Sequence, residues 1–345
     1  MDCDVVVVGC GPAGSAAAFF LASRNMSTIC IERLNDARFE RYHSICGECI
    51  SVKGSKTVEI KPEEIRNRIK EFRLDWPGGK CSRIRIDGLI IDRVRVLRRL
   101  RKDAEEKGAR FITSSVVDVK RIPGGFQTTL RNGESIQSRY IIGADGAFSV
   151  VRKCLFDCRP EKILPVEMRV LEKPPELSET IRFTLKEKGG YYGWDFPYGT
   201  GSSVGAVRGY LDETEGLHGA RYIPIGWPDR FVDDGALLIG DAAGMVNPLS
   251  FGGLRIAFES AKHSADAIAS GDLQSYEKWW RKSPLSDRRY MRLSELFASY
   301  DSEQYEFFSK HLGGGFWSGG IVSVLTRPKL AWAYFGCLMA IKNGW

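Results

Sequence analysis

Residues 4–14 read "DVVVVGCGPAG": four consecutive valines running into Gly9, Gly11 and Gly14. A short β-branched run reads as a fully buried strand, and G-x-G-x-x-G directly behind it is the spacing that turns a strand into a helix beneath a dinucleotide. Gly9 permits the tight turn, Gly11 lets backbone approach a pyrophosphate, and Gly14 lets the helix pack closely on the strand. Pro12 stands where a first-turn proline is tolerated, and "AGSAAAFFLA", from Ala13 onward, continues as a strong helix. The helix N-terminus then offers free N–H groups and partial positive charge to phosphates. A second apolar strand, "STICIE", ends on Glu32 with Arg33 behind it. A carboxylate there accepts hydrogen bonds from ribose hydroxyls, so Glu32 and Arg33 join the glycines as candidate cofactor ligands.

At 345 residues, 43% hydrophobic and 27% charged, the chain predicts two lobes around one main core. The N-terminus has no basic leader ahead of its valine run, which predicts a cytoplasmic protein. Nine scattered cysteines do not suggest a secreted disulfide framework. The formal charge of +7 is compatible with a solvated surface, anionic head groups or nucleic acid. In "RVRVLRRLRK" (93–102), Val94, Leu97 and Leu100 recur at helical spacing with the cations mostly opposite, and no nucleic-acid module accompanies them. Nucleic acid is therefore not an expected partner. The longest apolar candidate, "LAWAYFGCLMAI" (330–341), is too short to span a bilayer and suits a core or interfacial helix.

Two later stretches separate the candidate cofactors. "YIIGADGAFSVVRK" (140–153) is a buried strand followed by Asp145-Gly146 and Arg152. "GALLIGDAAGMVNPLSFGGLRIAFESA" (235–261) is another, ending at Asp241, with Gly252-Gly253 opening a helix. An acid at a strand end can hold a polyol such as ribityl, and a glycine-led helix N-terminus stabilises negative charge on a reduced flavin. Together the three stretches resemble the signatures of the FAD-dependent aromatic-hydroxylase and prenyl-reductase superfamily, and the resemblance implies FAD.

Between them, "GGYYGWDFPYGTGSSVGAV" (189–207) is rich in aromatics, flanked by alternating segments that read as antiparallel strands. Tyr192, Trp194, Phe196 and Pro197 resemble the YxWxFP motif of geranylgeranyl reductases, which implies that they line a substrate channel. The family's second following glycine is replaced, the run being Gly205-Ala206-Val207. Cys46 and Cys49 lie in "CGEC" where that family carries "CGEG". By spacing alone the pair could be a metal knuckle, a redox disulfide or a backbone-contact loop; a zinc knuckle needs two further ligands, and a disulfide reductase normally carries a second nucleotide fingerprint. No metal is expected. The resemblance implies FAD contacts at Ala13, Glu32, Cys46, Gly47, Cys49, Arg93, Val117, Asp241, Gly253 and Leu254, with Cys46 also facing substrate as the candidate catalytic residue.

The fold expected is α/β: a Rossmann-type FAD-binding domain (1–71, 92–159 and 230–285), a smaller antiparallel sheet for substrate (72–91 and 160–229) and a C-terminal helical region (286–345). The family resemblance implies a reductase of isolated double bonds in prenyl chains, of archaeal-type membrane lipids, drawing electrons from NADPH, ferredoxin or quinol. Such a substrate implies peripheral association with an anionic membrane, through Arg-rich faces and the 330–341 helix. A flavin monooxygenase or halogenase, whose WxWxIP motif agrees here at Trp194 and Pro197 only, is the competing enzyme. A non-catalytic prenyl-lipid-binding flavoprotein is the third reading.

Overall fold

The computed structural model describes residues 1–185, 192–312 and 339. The Cys3–Val8 strand lies at the centre of a first sheet, parallel to Thr28–Glu32 on one side and Ser135–Gly143 on the other. Arg110–Thr113 and Ala236–Leu238 extend this parallel set outward. Val5, Val6 and Val7 are wholly buried. A parallel strand covered on both faces needs a continuous apolar run rather than alternation, which explains the valines. Gly125–Leu130 and Val116–Ile122 continue the sheet in antiparallel sense beyond Ser135–Gly143.

The Pro12–Ala22 helix packs against the Arg93–Glu105 and Leu254–Ser270 helices. Ala16, Ala17 and Ala18 are fully buried, and side chains this small let the helices and sheet close on one another. On the Arg93–Glu105 helix, Val94, Leu97, Leu100 and Ala104 face inward as the periodicity predicts. Its cations are matched by acids: Arg98 lies 2.7 Å from Glu40, Arg99 2.6 Å from Glu64 and Arg101 3.2 Å from Glu105. The exposed pairs, Arg98–Glu40 and Arg101–Glu105, stabilise by about 1 kcal/mol or less, and with the buried Glu64 they cancel much of the helix's positive charge.

Among the described residues the second sheet has eight strands, antiparallel except where Thr180–Leu185 runs parallel to Ile65–Asp75. The basic run "IRNRIKEFR" is thus a strand, with Ile69 buried and Arg68 and Lys70 turned outward. The part of this sheet expected to begin at residue 72 starts earlier, with a hairpin of Ile65–Asp75 and Cys81–Ile91, and Cys49–Ser51 pairs along the second of these strands. Tyr192–Tyr198 sits between Thr180–Leu185 and Gly201–Val207, while Lys162–Leu171 and Leu217–Ile225 complete the far side.

Three helices follow, Leu273–Lys282, Arg289–Ala298 and Ser302–Leu312. Tyr290, Leu293, Tyr300 and Tyr305 form a separate apolar cluster with Trp76 at the hairpin tip. The 330–341 segment lies outside the described residues, Met339 aside. Among the described residues no helix is long and apolar enough to cross a membrane. The architecture is α/β, as the strand and helix pattern predicts.

Candidate active site

The three signature stretches meet. Gly9 has φ +90°, and a Cβ there would come within 2.6 Å of the Ala144 carbonyl oxygen and 2.8 Å of Asp145 Cα. Glycine is therefore what allows the front loop to touch the Asp145-Gly146 loop. At Gly14 a Cβ would stand 1.8 Å from the Gly9 carbonyl oxygen, whereas at Gly11 it would meet only His43 Cε1, at 3.4 Å. Gly11 thus leaves room for a ligand to approach the backbone. Ala13 lies against Gly240, whose own Cβ would come within 2.9 Å of it. Buried Arg152 donates to the carbonyls of Ala147 (2.5 Å) and Ala242 (2.7 Å), bolting the second and third stretches together.

Glu32 is buried at the end of its strand; Oε2 accepts from the Cys10 N–H at 2.8 Å and Oε1 from the Leu34 N–H at 2.9 Å. Each oxygen keeps a lone pair for a hydroxyl. Arg33 beside it is exposed, as is Val117 on the Val116–Ile122 strand. The Pro12–Ala22 and Leu254–Ser270 helices begin on Gly11 and Gly253 with no side-chain cap, so their first N–H groups remain free for an anion. Gly252 precedes the second of these and Leu254 opens it, half-buried. Asp241 stands close by, its Oδ1 3.5 Å from where a Gly253 Cβ would lie. Surrounding protein pushes its carboxyl up to about 6, against the pull of Arg93, though one side of the group is open to the cleft. Asp145 Oδ2 accepts from the Val150 N–H at 2.7 Å, while Oδ1 is buried with no hydrogen-bond partner.

The CGEC loop is held from two sides. From the helix, Arg93 Nε and Nη2 donate to the His43 carbonyl at 2.9 and 2.8 Å, and Nη2 to the Ile45 carbonyl at 3.4 Å. From the second sheet, Tyr198 Oη donates to the Ser44 carbonyl at 2.8 Å and Ser203 Oγ to the Cys46 carbonyl at 3.5 Å. Cys46 and Cys49 are half-buried free thiols, and burial pushes the Cys49 thiol well up. Among the described residues no three His, Cys, Asp or Glu side chains are grouped to hold a metal. The C-x-x-C stretch is a turn whose last residue enters a strand.

Glu48, between the cysteines, has φ +52° and is 1% exposed. Neither carboxyl oxygen has a hydrogen-bond partner; Arg66 Nε stands 3.4 Å from Oε2 and Arg93 Nε 3.9 Å from Oε1. Burial pushes its carboxyl up to about 8, against the opposing effect of the two arginines. Burial alone would lower the Arg93 guanidinium, but its neighbours Cys46, Glu48, Tyr42 and Tyr198 outweigh it and raise it.

Tyr192, Trp194 and Phe196 occupy alternate positions of one strand and so share a face. Tyr192 and Phe196 are buried and Trp194 half-buried, while Pro197, on the opposite face, pairs with Ser202. This face closes on the CGEC loop: a Cβ on Gly47 would lie 2.9 Å from two Phe196 ring carbons and 3.8 Å from Trp194 Nε1. Gly205 is directly opposite Trp194, and a Cβ there would come within 2.1 Å of indole Cζ2. The glycine that follows the aromatic motif is thus where the indole lies flat on the neighbouring strand. Tyr192 also stacks on Phe251 (5.1 Å between centroids, 19° between planes), and Phe251 sits at φ +52°, a conformation that disfavours bulky residues.

Several of these groups carry no local sequence signal: Glu48, Arg66, Tyr198, Phe251 and His43. His43 is buried against Gly11 with Nδ1 unpartnered. Burial, then the Arg93, Arg221 and Arg33 cations, holds its imidazole well below its ordinary pKa and therefore neutral. Only the three-dimensional arrangement finds them: Phe251 through its stack on Tyr192, the others around Arg93 and Glu48.

A cradle of bare glycines and uncapped helix ends, with buried His43 Nδ1, Asp145 Oδ1 and Trp194 Nε1 lacking protein partners, fits a ligand bearing phosphates, hydroxyls and a polar ring. FAD has that chemistry. Residues 3–154 match the family model described as pyridine nucleotide-disulphide oxidoreductase. A digeranylgeranylglycerophospholipid reductase from Methanothermobacter thermautotrophicus is 30% identical, over 91% of this chain and 92% of its own. Among solved structures, a geranylgeranyl bacteriochlorophyll reductase-like protein from Thermoplasma acidophilum has a TM-score of 0.78 at 20% identity, covering 98% of this chain and 99% of that one. A flavin-dependent brominase shares the fold, with a TM-score of 0.67 at 16% identity over 97% and 94% of the two chains. Full-length agreement with the reductase, on top of a cleft that fits FAD, places this FAD-dependent oxidoreductase in the geranylgeranyl reductase family.

Proposed function

We propose that this enzyme saturates isolated carbon–carbon double bonds in the prenyl chains of membrane lipids, working at the bilayer surface. The observation that supports this most is the closure of the Tyr192–Trp194–Phe196 face over Gly47, which makes an aromatic wall beside Cys46. FAD, when bound and reduced, supplies hydride equivalents to such a bond. Glu32 and the free N–H groups at Gly11 would hold its ribose and phosphates, and Asp241 and the Gly253-led helix end its ribityl and ring.

An unactivated alkene has no carbonyl to take up developing charge, so hydride must be matched by a proton at the neighbouring carbon. Cys46 is the candidate donor, a half-buried free thiol on the loop against which the aromatic face closes. The aromatic wall would orient the chain and exclude water, which contributes by fixing the geometry of attack. A chain of about 20 carbons gains on the order of 15 kcal/mol in lipid, at ~0.8 kcal/mol per methylene, so drawing it through water would impose most of that as a barrier. An apolar route from the bilayer avoids it.

The test is the mass of the product after dithionite-reduced protein is incubated anaerobically with geranylgeranylated lipid. Gains in steps of two hydrogens support the reading. A product formed only with oxygen and carrying a hydroxyl or halogen would replace it with an oxygenase, and an unchanged lipid that still binds would replace it with a binding protein. Flotation with anionic liposomes tests the surface association separately; a protein left at the bottom of the gradient removes that part.

A further inference from the structure

Glu48 has no part in that scheme, yet its carboxyl is buried with neither oxygen in a hydrogen bond. A carboxyl removed from water normally takes hydrogen bonds from its surroundings or loses its charge. Glu48 is 1% exposed and no donor meets it in hydrogen-bond geometry, the Arg93 backbone N–H acting on it only weakly. Both nearby cations are partly engaged elsewhere: Arg66 Nη2 reaches Asp92 at 2.9 Å and the guanidinium lies over the Tyr198 ring at 4.5 Å, while its Nε, 3.4 Å from Glu48 Oε2, makes no hydrogen bond; Arg93 Nε and Nη2 go to the His43 and Ile45 carbonyls. The arginines are close enough to stabilise a carboxylate through space but not aligned to bind it. Such a group is poised between its charged and neutral forms, so a change of one charge nearby can move its proton. Arg93 connects it to the flavin cradle, since the same guanidinium acts on Asp241 and Cys46.

We propose that Glu48 is a redox-linked proton store, holding its proton more tightly while the flavin is reduced than while it is oxidised. This rests on the proposed seat of the flavin against the Cys46–Cys49 loop. The balance is simple. Two electrons from a reductant such as dithionite and one proton from water enter the ring, leaving it one charge more negative. The Glu48 carboxylate takes one further proton from water, and that proton is released when the two electrons and the ring's proton leave together for the acceptor.

The groups facing Glu48 set the pH at which this is seen. Arg66 on the Ile65–Asp75 strand and Arg93 at the start of its helix favour the carboxylate. Asp92 beside Arg93 opposes it; Tyr198 and the buried Cys49 thiol, both raised by burial, are uncharged neighbours. In the chain itself burial pushes the carboxyl up to about 8, and an oxidised, uncharged ring adds no charge to change that. Negative charge on a reduced ring moves that upward, so the linkage window opens near pH 8 and extends above it. Below the window both redox states carry the proton and the effect vanishes.

The experiment is the flavin midpoint potential of the FAD-loaded protein as a function of pH, in wild type and Glu48→Gln. Within the window each tenfold fall in proton concentration should lower the wild-type potential by about 30 mV more than that of the variant, one extra proton per two electrons. Arg66→Met, which removes a cation at 3.4 Å, should move the window to higher pH. Equal slopes in wild type and Glu48→Gln would overturn the proposal. Cys46→Ser separates that failure from a misplaced flavin: if it leaves the visible circular dichroism and potential of the bound flavin unaltered, the seat is wrong and both ideas fall. Should Glu48→Gln not retain FAD, the reduced-minus-oxidised infrared difference of wild type decides instead. A protonated-carboxyl band that appears on reduction above pH 8, shifts in deuterium oxide and is lost in Glu48→Asp supports the store, and its absence from wild type refutes it.

Discussion

Replacing Gly205 by alanine tests the aromatic wall without touching the nucleotide cradle. The new Cβ would stand 2.1 Å from Trp194 Cζ2, where carbon atoms ordinarily rest about 3.5–4.0 Å apart. The indole must therefore withdraw by roughly 1.5 Å, because the strand beneath it is fixed by pairing on both sides. Overpacking of this kind costs about 1–3 kcal/mol, against a total stability of about 5–15 kcal/mol, so the protein should stay folded with its Tm lowered by several degrees. Misplacement of a positioning group by about 1 Å costs on the order of a hundredfold in rate. The expected result is full flavin content with a 10- to 100-fold slower single-turnover reoxidation by geranylgeranylated lipid, followed anaerobically in the flavin absorption band. A rate within about twofold of wild type, with FAD retained, would refute the reasoning, since the indole would then have moved with no effect on the reacting bond.

Three further outcomes are expected. Glu48 titrates near 8 in the folded chain against an ordinary 4.5, so the folded form binds a proton that the unfolded form does not. Its contribution is complete below about pH 4.5 and is lost as pH rises through about 8. Urea unfolding should show stability falling by on the order of a few kcal/mol across that window, with Glu48→Gln flattening the fall. Gly9→Ala places a Cβ 2.6 Å from a backbone oxygen at a φ of +90°, and should yield protein with little or no bound flavin by absorbance. Cys46→Ala should keep its flavin but lose most prenyl reduction; full turnover in that variant removes Cys46 from the chemistry.

What the sequence made legible is what local chemistry dictates. Four valines, three glycines and an alanine-rich helix specify one another over twenty residues, and the observed strand, turn and helix follow them. The Asp145 and Asp241 stretches are likewise strand ends that carry their own turn residues. Less legible was Ile65–Asp75, because basic residues at every second or third position suggest a solvated face, and the strand exists through partners at 81–91 and 180–184. Glu48 was hidden for a related reason. Nothing in "CGEC" tells which way its carboxyl points; that depends on Arg66 and Arg93 arriving from two other elements. Phe251 had no glycine-like signal for its left-handed backbone, and its conformation follows from stacking on a ring nearly sixty residues away.

The one parallel join of the second sheet has a consequence for how the chain is made. Ile65–Asp75 pairs with Thr180–Leu185, which leaves the ribosome about a hundred residues later. At ~5–20 residues per second the earlier strand waits about 5–20 s with one edge open. An open edge invites pairing with another chain, and charged side chains are a common way to blunt it. Arg66, Arg68, Lys70 and Arg73 space positive charge along that edge. On this view the most basic-looking strand is neither a membrane patch nor a nucleic-acid site but a guard kept during synthesis, and neutralising Arg68, Lys70 and Arg73 should raise aggregation of the nascent protein while leaving the finished enzyme's flavin site intact.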